Sequence, residues 1–228
     1  VSFLSEYGQY FGTFYGESNG NVLLRREQYR IADDNRALNY AKAFIFGKLH
    51  NQKWVIERGI RDYSLRIDAV LLKKQSALIS EQLKQILTID QEETLRAAEG
   101  NAAHRYFSAF DELILRNKEL FTFTDRNRRP PTDAVNAMLS FAYTLLAGEC
   151  RHALEVVGLD SYVGFLHADR PGRASLALDL MEELRPHFAD RFVLSLINRN
   201  EVEATDFEFQ SSGAVYLSAQ SRKKFLSS

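Results

Sequence analysis

The chain has 228 residues, with 29 basic and 30 acidic side chains, a formal charge of −1, 45% apolar and 26% charged residues. That composition folds around a core, and it excludes a disordered tail, a collagen-like repeat and a polybasic nucleic-acid arm. Any phosphate-binding surface must then be a local patch, and the single cysteine, Cys150, excludes an intrachain disulfide or a cysteine zinc cluster and fits a reducing, cytoplasmic compartment.

Residues 1–31 read as strand, with Phe3, Tyr7, Tyr10, Phe11, Phe14 and Tyr15 interspersed with glycines. Asn19-Gly20 is a tight-hairpin signal, because both residues tolerate positive φ, and 22–26 would be the return strand. Two strands alone are marginal in water, so this hairpin needs a partner sheet. From residue 32 the period becomes helical. Leu38, Ala41, Ile45 and Leu49 share one face, and Leu72, Ile79, Leu83 and Ile86 share another. Asp90, with Glu93 three residues on, predicts the cap of a third helix running to about Arg116. Pro130-Pro131 closes the basic stretch 126–129. Thr132 and Asp133 then open a fourth helix, with Gly148 and Gly158 as stops for it and for a short successor.

A loop is expected over 159–173 and a helix over 174–186, with Ala177, Leu180, Met181, Leu184 and Phe188 as its core stripe. A further turn through Ile197 and a weak strand at 214–217 complete the chain. The fold class is mainly α: a helical domain over 32–228 preceded by a β-remnant over 1–31, α+β overall. The most apolar stretch, 137–148, is broken by Ser140 and Thr144 and is far short of the roughly 18 apolar residues of a membrane span. No basic-then-apolar leader opens the chain, and its first residue is Val1, so upstream sequence is expected.

The common nucleotide-binding and hydrolase motifs are absent from the sequence. Advancing 100° per residue along the third helix clusters Leu95, Ala98, Ala102, Tyr106, Ala109 and Leu113, and places Glu99 at roughly 40° on that apolar face. A carboxylate there is costly unless paired or metal-bound. It is therefore a ligand, the partner of a buried arginine, or exposed by a late helix start. Gly100 beside it fits a close approach to the backbone. Asp179 and Glu182 lie opposite the stripe of the 174–186 helix, where an acidic pair is ordinarily solvated. His167 ends an apolar loop run, followed by Arg170 and Arg173. Glutamate, histidine and a second carboxylate make a mixed oxygen/nitrogen donor set suited to Mn²⁺ or Mg²⁺. Glu149 and His152 match one copy of a Glu-x-x-His di-iron motif, which requires two.

Four stretches taken together carry a family resemblance: EGNAAHRYF at 99–107, RPPTDAVNAMLSFAY at 129–143, GLDSYVGFLH at 158–167 and GRASLALDLMEELRP at 172–186. They resemble the CRISPR-associated integrase family of spacer acquisition, the first CRISPR-associated protein, in its I-C-like form. The opening residues 1–29 look like the end of that family's N-terminal strand domain, and the family has a longer C-terminal tail. The resemblance implies a metal-dependent DNA endonuclease and integrase, with Glu99, His167 and Glu182 as metal ligands and Asp179 as an assisting acid. It further implies Mg²⁺ or Mn²⁺, DNA, a homodimer and a small second CRISPR-associated protein as partners. Arg126, Arg128, Arg129, Arg170 and Arg173 are the candidate phosphate contacts. The competing reading is a non-catalytic helical scaffold or binding module, in which the three proposed ligands lie far apart.

Overall fold

The computed structural model describes residues 2–14 and 21–227. Strands β1 (Ser2–Leu4) and β2 (Tyr10–Thr13) pair antiparallel. Their missing partner is a helix, not a sheet. The hairpin lies on α5 (Ala134–Val156), where a Cβ on Gly8 would stand 2.9 Å from the Phe141 ring and one on Gly148 would stand 3.5 Å from Tyr10. Tyr10 also donates to Glu155 at 3.0 Å. Gly148 is therefore a packing position inside one long helix. The helix stops at Gly158, whose φ of +85° suits a residue without a Cβ.

The Asn19-Gly20 turn lies outside the described residues. The return strand expected at 22–26 is instead the start of helix α1 (Val22–Ala32). Its leucines, arginines and glutamate are good helix formers, and Asn21 caps it by accepting from the Leu24 amide at 3.0 Å. Buried Gln28 on α1 donates to the carbonyls of Asp160 at 2.7 Å and Val163 at 2.9 Å, and accepts from the Asp160 amide at 2.9 Å. Helix α1 thus clamps the start of the loop that ends at His167.

Helix α2 (Ala37–Tyr63) is the central rod, packed against α3 (Ala69–Ile86), α4 (Glu92–Ser108) and α6 (Ser175–Arg185). Its buried face holds Ala41, Ile45 and Leu49 at the predicted helical spacing, with the predicted Leu38 only partly buried, and adds Val55 and Ile56 but also Lys48 and Gln52. Asp68 caps α3 by accepting from two amides, and Asp133 caps α5 by accepting from the Asn136 amide at 2.7 Å. The expected cap at Asp90 does not form. Helix α4 begins at Glu92 after Gln91, with no side-chain cap, and ends at Ser108 before a 3₁₀ turn, Phe110–Leu113.

Pro186 does not end the sixth helix. A π turn, Pro186–Asp190, leads directly into α7 (Arg191–Asn198). The wider turn breaks the expected apolar stripe: Ala177 and Met181 are buried, but Phe188 is turned out and 58% exposed. The C-terminal part adds β3 (Phe207–Phe209), β4 (Val215–Leu217), antiparallel to it, and α8 (Ala219–Ser227). The main core runs through α2 to α5 and α7, and a smaller one joins α5 to α6 around Cys150, Leu154 and Met181. Among the described residues, no helix is long and apolar enough to cross a membrane.

Candidate functional site

Three elements converge on one point beside α2. Helix α4 supplies Glu99 and α6 supplies Glu182. The carboxylates of both meet the ammonium of Lys48 on α2, with Glu182 Oε2 2.7 Å from Nζ. Arg185, one turn along α6, grips the other Glu182 oxygen. Glu182 is buried. Burial alone would raise its pKa, but the opposing charges of Lys48 and Arg185 outweigh that and hold it at about 2, so it is ionised at neutral pH. The close approach of α2 to α6 depends on Gly47, where a Cβ would stand 2.9 Å from Glu183 Cβ.

Asp179, also buried on α6, organises the histidine loop. Its Oδ2 accepts from the amides of Phe165 at 2.6 Å and Leu166 at 2.9 Å. Its Oδ1 accepts from the His167 amide at 3.0 Å and from His167 Nδ1 at 2.6 Å. A carboxylate only accepts, so this contact fixes the Nδ1–H tautomer and leaves the Nε2 lone pair available. Gly164 allows the loop to close: a Cβ there would stand within 2.9 Å of Ser175 Cβ, Asp179 Oδ2 and the His167 carbonyl. Arg96 on α4 ties the Leu166 carbonyl at 3.0 Å. Arg173 and Ser175 hold the Ala168 carbonyl.

The expectation of a solvated face for Asp179 and Glu182 fails because α6 packs on α2 as well as on α5. Gly100 meets nothing within 4 Å, so no close approach explains it. Glu99 does have a buried cation for a partner, though a lysine and not an arginine. Among the described residues, no three His, Cys, Asp or Glu side chains stand together as a metal-holding group. The position between Glu99 and Glu182 is taken by the Lys48 ammonium. The residues nevertheless fit a divalent ion. Two carboxylates face one cation position, His167 presents an oriented imidazole, and buried Glu182 Oε2 has no hydrogen-bond partner despite its ionic contact.

His167 and Glu182 open onto a cleft of about 490 Å³ on the α5–α6 side. Four of the five predicted phosphate contacts line it: Arg126, Arg128, Arg129 and Arg173. Exposed Arg170 does not. Arg126 is fixed by Asn136 Oδ1 at 2.6 Å and Ser140 Oγ at 3.1 Å, and burial lowers its pKa. Two basic residues that sequence reasoning missed, Arg151 and Arg185, line the cleft as well. The guanidiniums of Arg126 and Arg185 stand 5.2 and 4.9 Å from the centre of the Tyr143 ring. This cluster of guanidiniums makes the cleft positive although the chain is near neutral.

Beneath it lies Asp190, completely buried at the end of the π turn. It accepts from Tyr143 Oη at 2.5 Å and Tyr106 Oη at 2.9 Å. Burial pushes its pKa up to about 6, against the pull of the two tyrosine hydroxyls and of Arg185 and Arg126. A carboxyl raised above its ordinary 3.8 holds its proton more tightly in the folded than in the unfolded chain. Its contribution to stability is greatest below that ordinary value and is lost as pH rises through about 6. Thermal melts between pH 4 and pH 7 are expected to show this loss in the native protein and a flatter profile in Asp190→Asn.

The whole chain, residues 1–228, matches the family model for the CRISPR associated protein Cas1. It is 43% identical over 227 residues to a CRISPR-associated endonuclease Cas1 of Chlorobaculum tepidum, covering 99% of this chain and 66% of that protein. The chain spans about two thirds of the length of the curated relatives it matches. A casposase bound to its integration product superposes with a TM-score of 0.83 at 29% identity, over 100% of this chain and 61% of the other. A Cas6-RT-Cas1–Cas2 complex gives 0.80 at 25% identity, over 100% of this chain and 25% of the other. The residues matched across the full chain and this level of identity place the protein in the CRISPR-associated Cas1 family.

Proposed function

We propose that this chain is the catalytic part of a CRISPR-adaptation integrase, a metal-dependent DNA endonuclease that joins a spacer 3′-hydroxyl to a phosphodiester of the repeat array. In that reaction the new P–O bond forms as the old one breaks, the hydroxyl loses its proton and the departing oxygen gains one. Water in place of the hydroxyl gives cleavage. Glu99, His167 and Glu182 are the residues that would hold Mg²⁺ or Mn²⁺. Such an ion supplies Lewis-acid polarisation of the phosphoryl oxygens and stabilises their growing charge. Asp179 orients His167. Arg128, Arg129 and Arg173 offer charge to the DNA backbone, while Arg126 and Arg185 keep the cleft wall positive beside Glu182. DNA, a second copy of the chain and a small Cas2-type protein are the proposed partners, in keeping with the similar casposase bound to integration product and the similar Cas6-RT-Cas1–Cas2 complex.

One observation carries the reading: acids from α4 and α6, far apart in sequence, converge on one cation position at the edge of an arginine-lined cleft that also holds His167. The scaffold reading draws on one observation too, the buried cation partner of Glu99. A thermal-shift titration with Mn²⁺ separates them, since a ligand that binds the native state raises its stability. A rise in Tm that Glu99→Gln removes supports the enzyme; no rise supports the scaffold. With phosphate contacts dominant, DNA affinity falls steeply with salt, and Arg129→Ala shallows the log–log slope by about one unit.

A further inference from the structure

Lys48 is a buried charge that neither the apolar pattern nor the family resemblance assigns a task. It lies on the inward face of α2 among Ala41, Ile45, Leu49 and Gln52, with its side chain only 6% exposed. An ammonium in that position is costly unless it is paired. Lys48 is paired twice, to acids from two different helices, Glu99 and Glu182. The pairing is uneven. Glu182 keeps Arg185 on its other oxygen, whereas Glu99 has no other cation among the ion pairs of the described residues. The 2.7 Å contact with Glu182 Oε2 is an ion pair without the alignment of a full hydrogen bond. An ammonium donates along three tetrahedral directions, whereas a spherical ion imposes none.

We infer that Lys48 is an internal counter-cation, which holds the Glu99 and Glu182 carboxylates together while the site is without a divalent ion and competes with that ion for them. The inference rests on the metal-site reading above and extends it to a residue outside the ligand set. Without a cation between them, a buried and a partly buried carboxylate repel, and α4 and α6 lose one of the contacts that link them to α2. With Lys48 there, the acids stay assembled, and an incoming divalent ion must displace the ammonium. The apparent metal affinity is then set by the fraction of molecules in which Lys48 has withdrawn. Lys48 is thus a positioning residue that sets the concentration of ion at which the site becomes competent.

The test uses the intact protein, calorimetric titration with Mn²⁺ alone, and Tm in chelator. Lys48→Met keeps the length of the side chain and removes its charge. It is expected to bind Mn²⁺ at least about tenfold more tightly, because the bound-competent fraction no longer carries the lysine penalty. Its Tm in chelator should fall, and Mn²⁺ should raise that Tm by more than it does in the wild type. Lys48→Arg keeps the charge and should leave Mn²⁺ affinity close to wild type. The double variant Lys48→Met/Glu99→Gln removes one charge of each sign, and its Tm in chelator should recover above that of Lys48→Met, whether or not the single variant folds well. Equal or weaker Mn²⁺ binding by Lys48→Met overturns the competition. A double variant no more stable in chelator than the single one overturns the counter-cation role. Failure of wild type and variant alike to bind Mn²⁺ overturns the metal-site reading and the competition with it, while the chelator melts decide the counter-cation role separately.

Discussion

Glu99→Gln and His167→Ala each remove Mn²⁺-dependent DNA cleavage, by about a thousandfold or more, while the far-ultraviolet circular dichroism stays unchanged. Both side chains are partly exposed, and neither is the sole partner of a fully buried charge: Lys48 retains Glu182, and Asp179 retains three amide donors. Their loss is felt at the reacting phosphate and not in the core. Glu182→Gln behaves differently. It leaves Lys48 and Arg185 facing a neutral amide in a buried site, so it costs stability as well as activity, on the order of 3–5 kcal/mol. The ionised state of Glu182 gives the same result a pH signature. Its carboxyl is held at about 2, below its ordinary 4.5, so its stabilising contribution is complete above the ordinary value and is lost as pH falls towards about 2. Glu182→Gln should erase that acid-side slope, and Glu99→Gln should retain most of it. Full cleavage by Glu99→Gln at saturating Mn²⁺ would remove Glu99 from the chemistry.

The helices of the core were legible because one solvent-facing side leaves a 3.6-residue stripe, as in Ala41, Ile45 and Leu49 on α2 or Leu72, Ile79 and Leu83 on α3. The places where periodicity misled have particular causes. At residues 22–26, aromatic and glycine residues upstream suggested strands, but the local leucines and arginines and the Asn21 cap decide for helix. At Pro186 the missing amide hydrogen suggested a stop. The π turn accommodates the ring at its first residue, and the chain stays helical into α7. That extra residue rotates Phe188 outwards and brings Asp190 beneath the two tyrosines, a consequence no apolar count records.

Of the site, Glu99 was legible from its angle on α4 alone, since a lone carboxylate on an apolar face must find a charge. Lys48 carried the same signal on α2, on the stripe of Ala41 and Ile45, and it passes unnoticed when only the apolar members of a stripe are counted. Glu182 and Asp179 were not legible from α6, because their helix is covered on two sides and the second cover, α2, comes from more than a hundred residues upstream. For them the motif resemblance supplied what spacing lacked. Arg185 and Arg151 escaped notice because each sits in a helix where an arginine normally reaches solvent; only the packed cleft turns them inward.

Asp179→Ala is expected to weaken Mn²⁺ binding by about 10–100-fold, with much of the lost cleavage regained at saturating metal. Both of its oxygens are already spent, each on two donors of the loop that carries His167. Such a carboxylate has little left to offer a metal directly. Its effect passes through the imidazole, by fixing the Nδ1–H tautomer and the ring's direction. Removing it frees three amides in a part-buried loop and costs stability as well, roughly 2–4 kcal/mol. Stability alone does not identify the role, because any loop anchor shows that loss. The separating measurement is the metal dependence of cleavage. A positioning role raises the Mn²⁺ concentration for half-maximal rate far more than it lowers the rate at saturation, and Asp179→Asn, which keeps one acceptor oxygen for the loop, should recover part of the affinity. A ligand or proton-transfer role predicts the reverse, a rate that stays low however much Mn²⁺ is added. The outcome decides whether the acid three residues before Glu182 works on the metal or on the histidine.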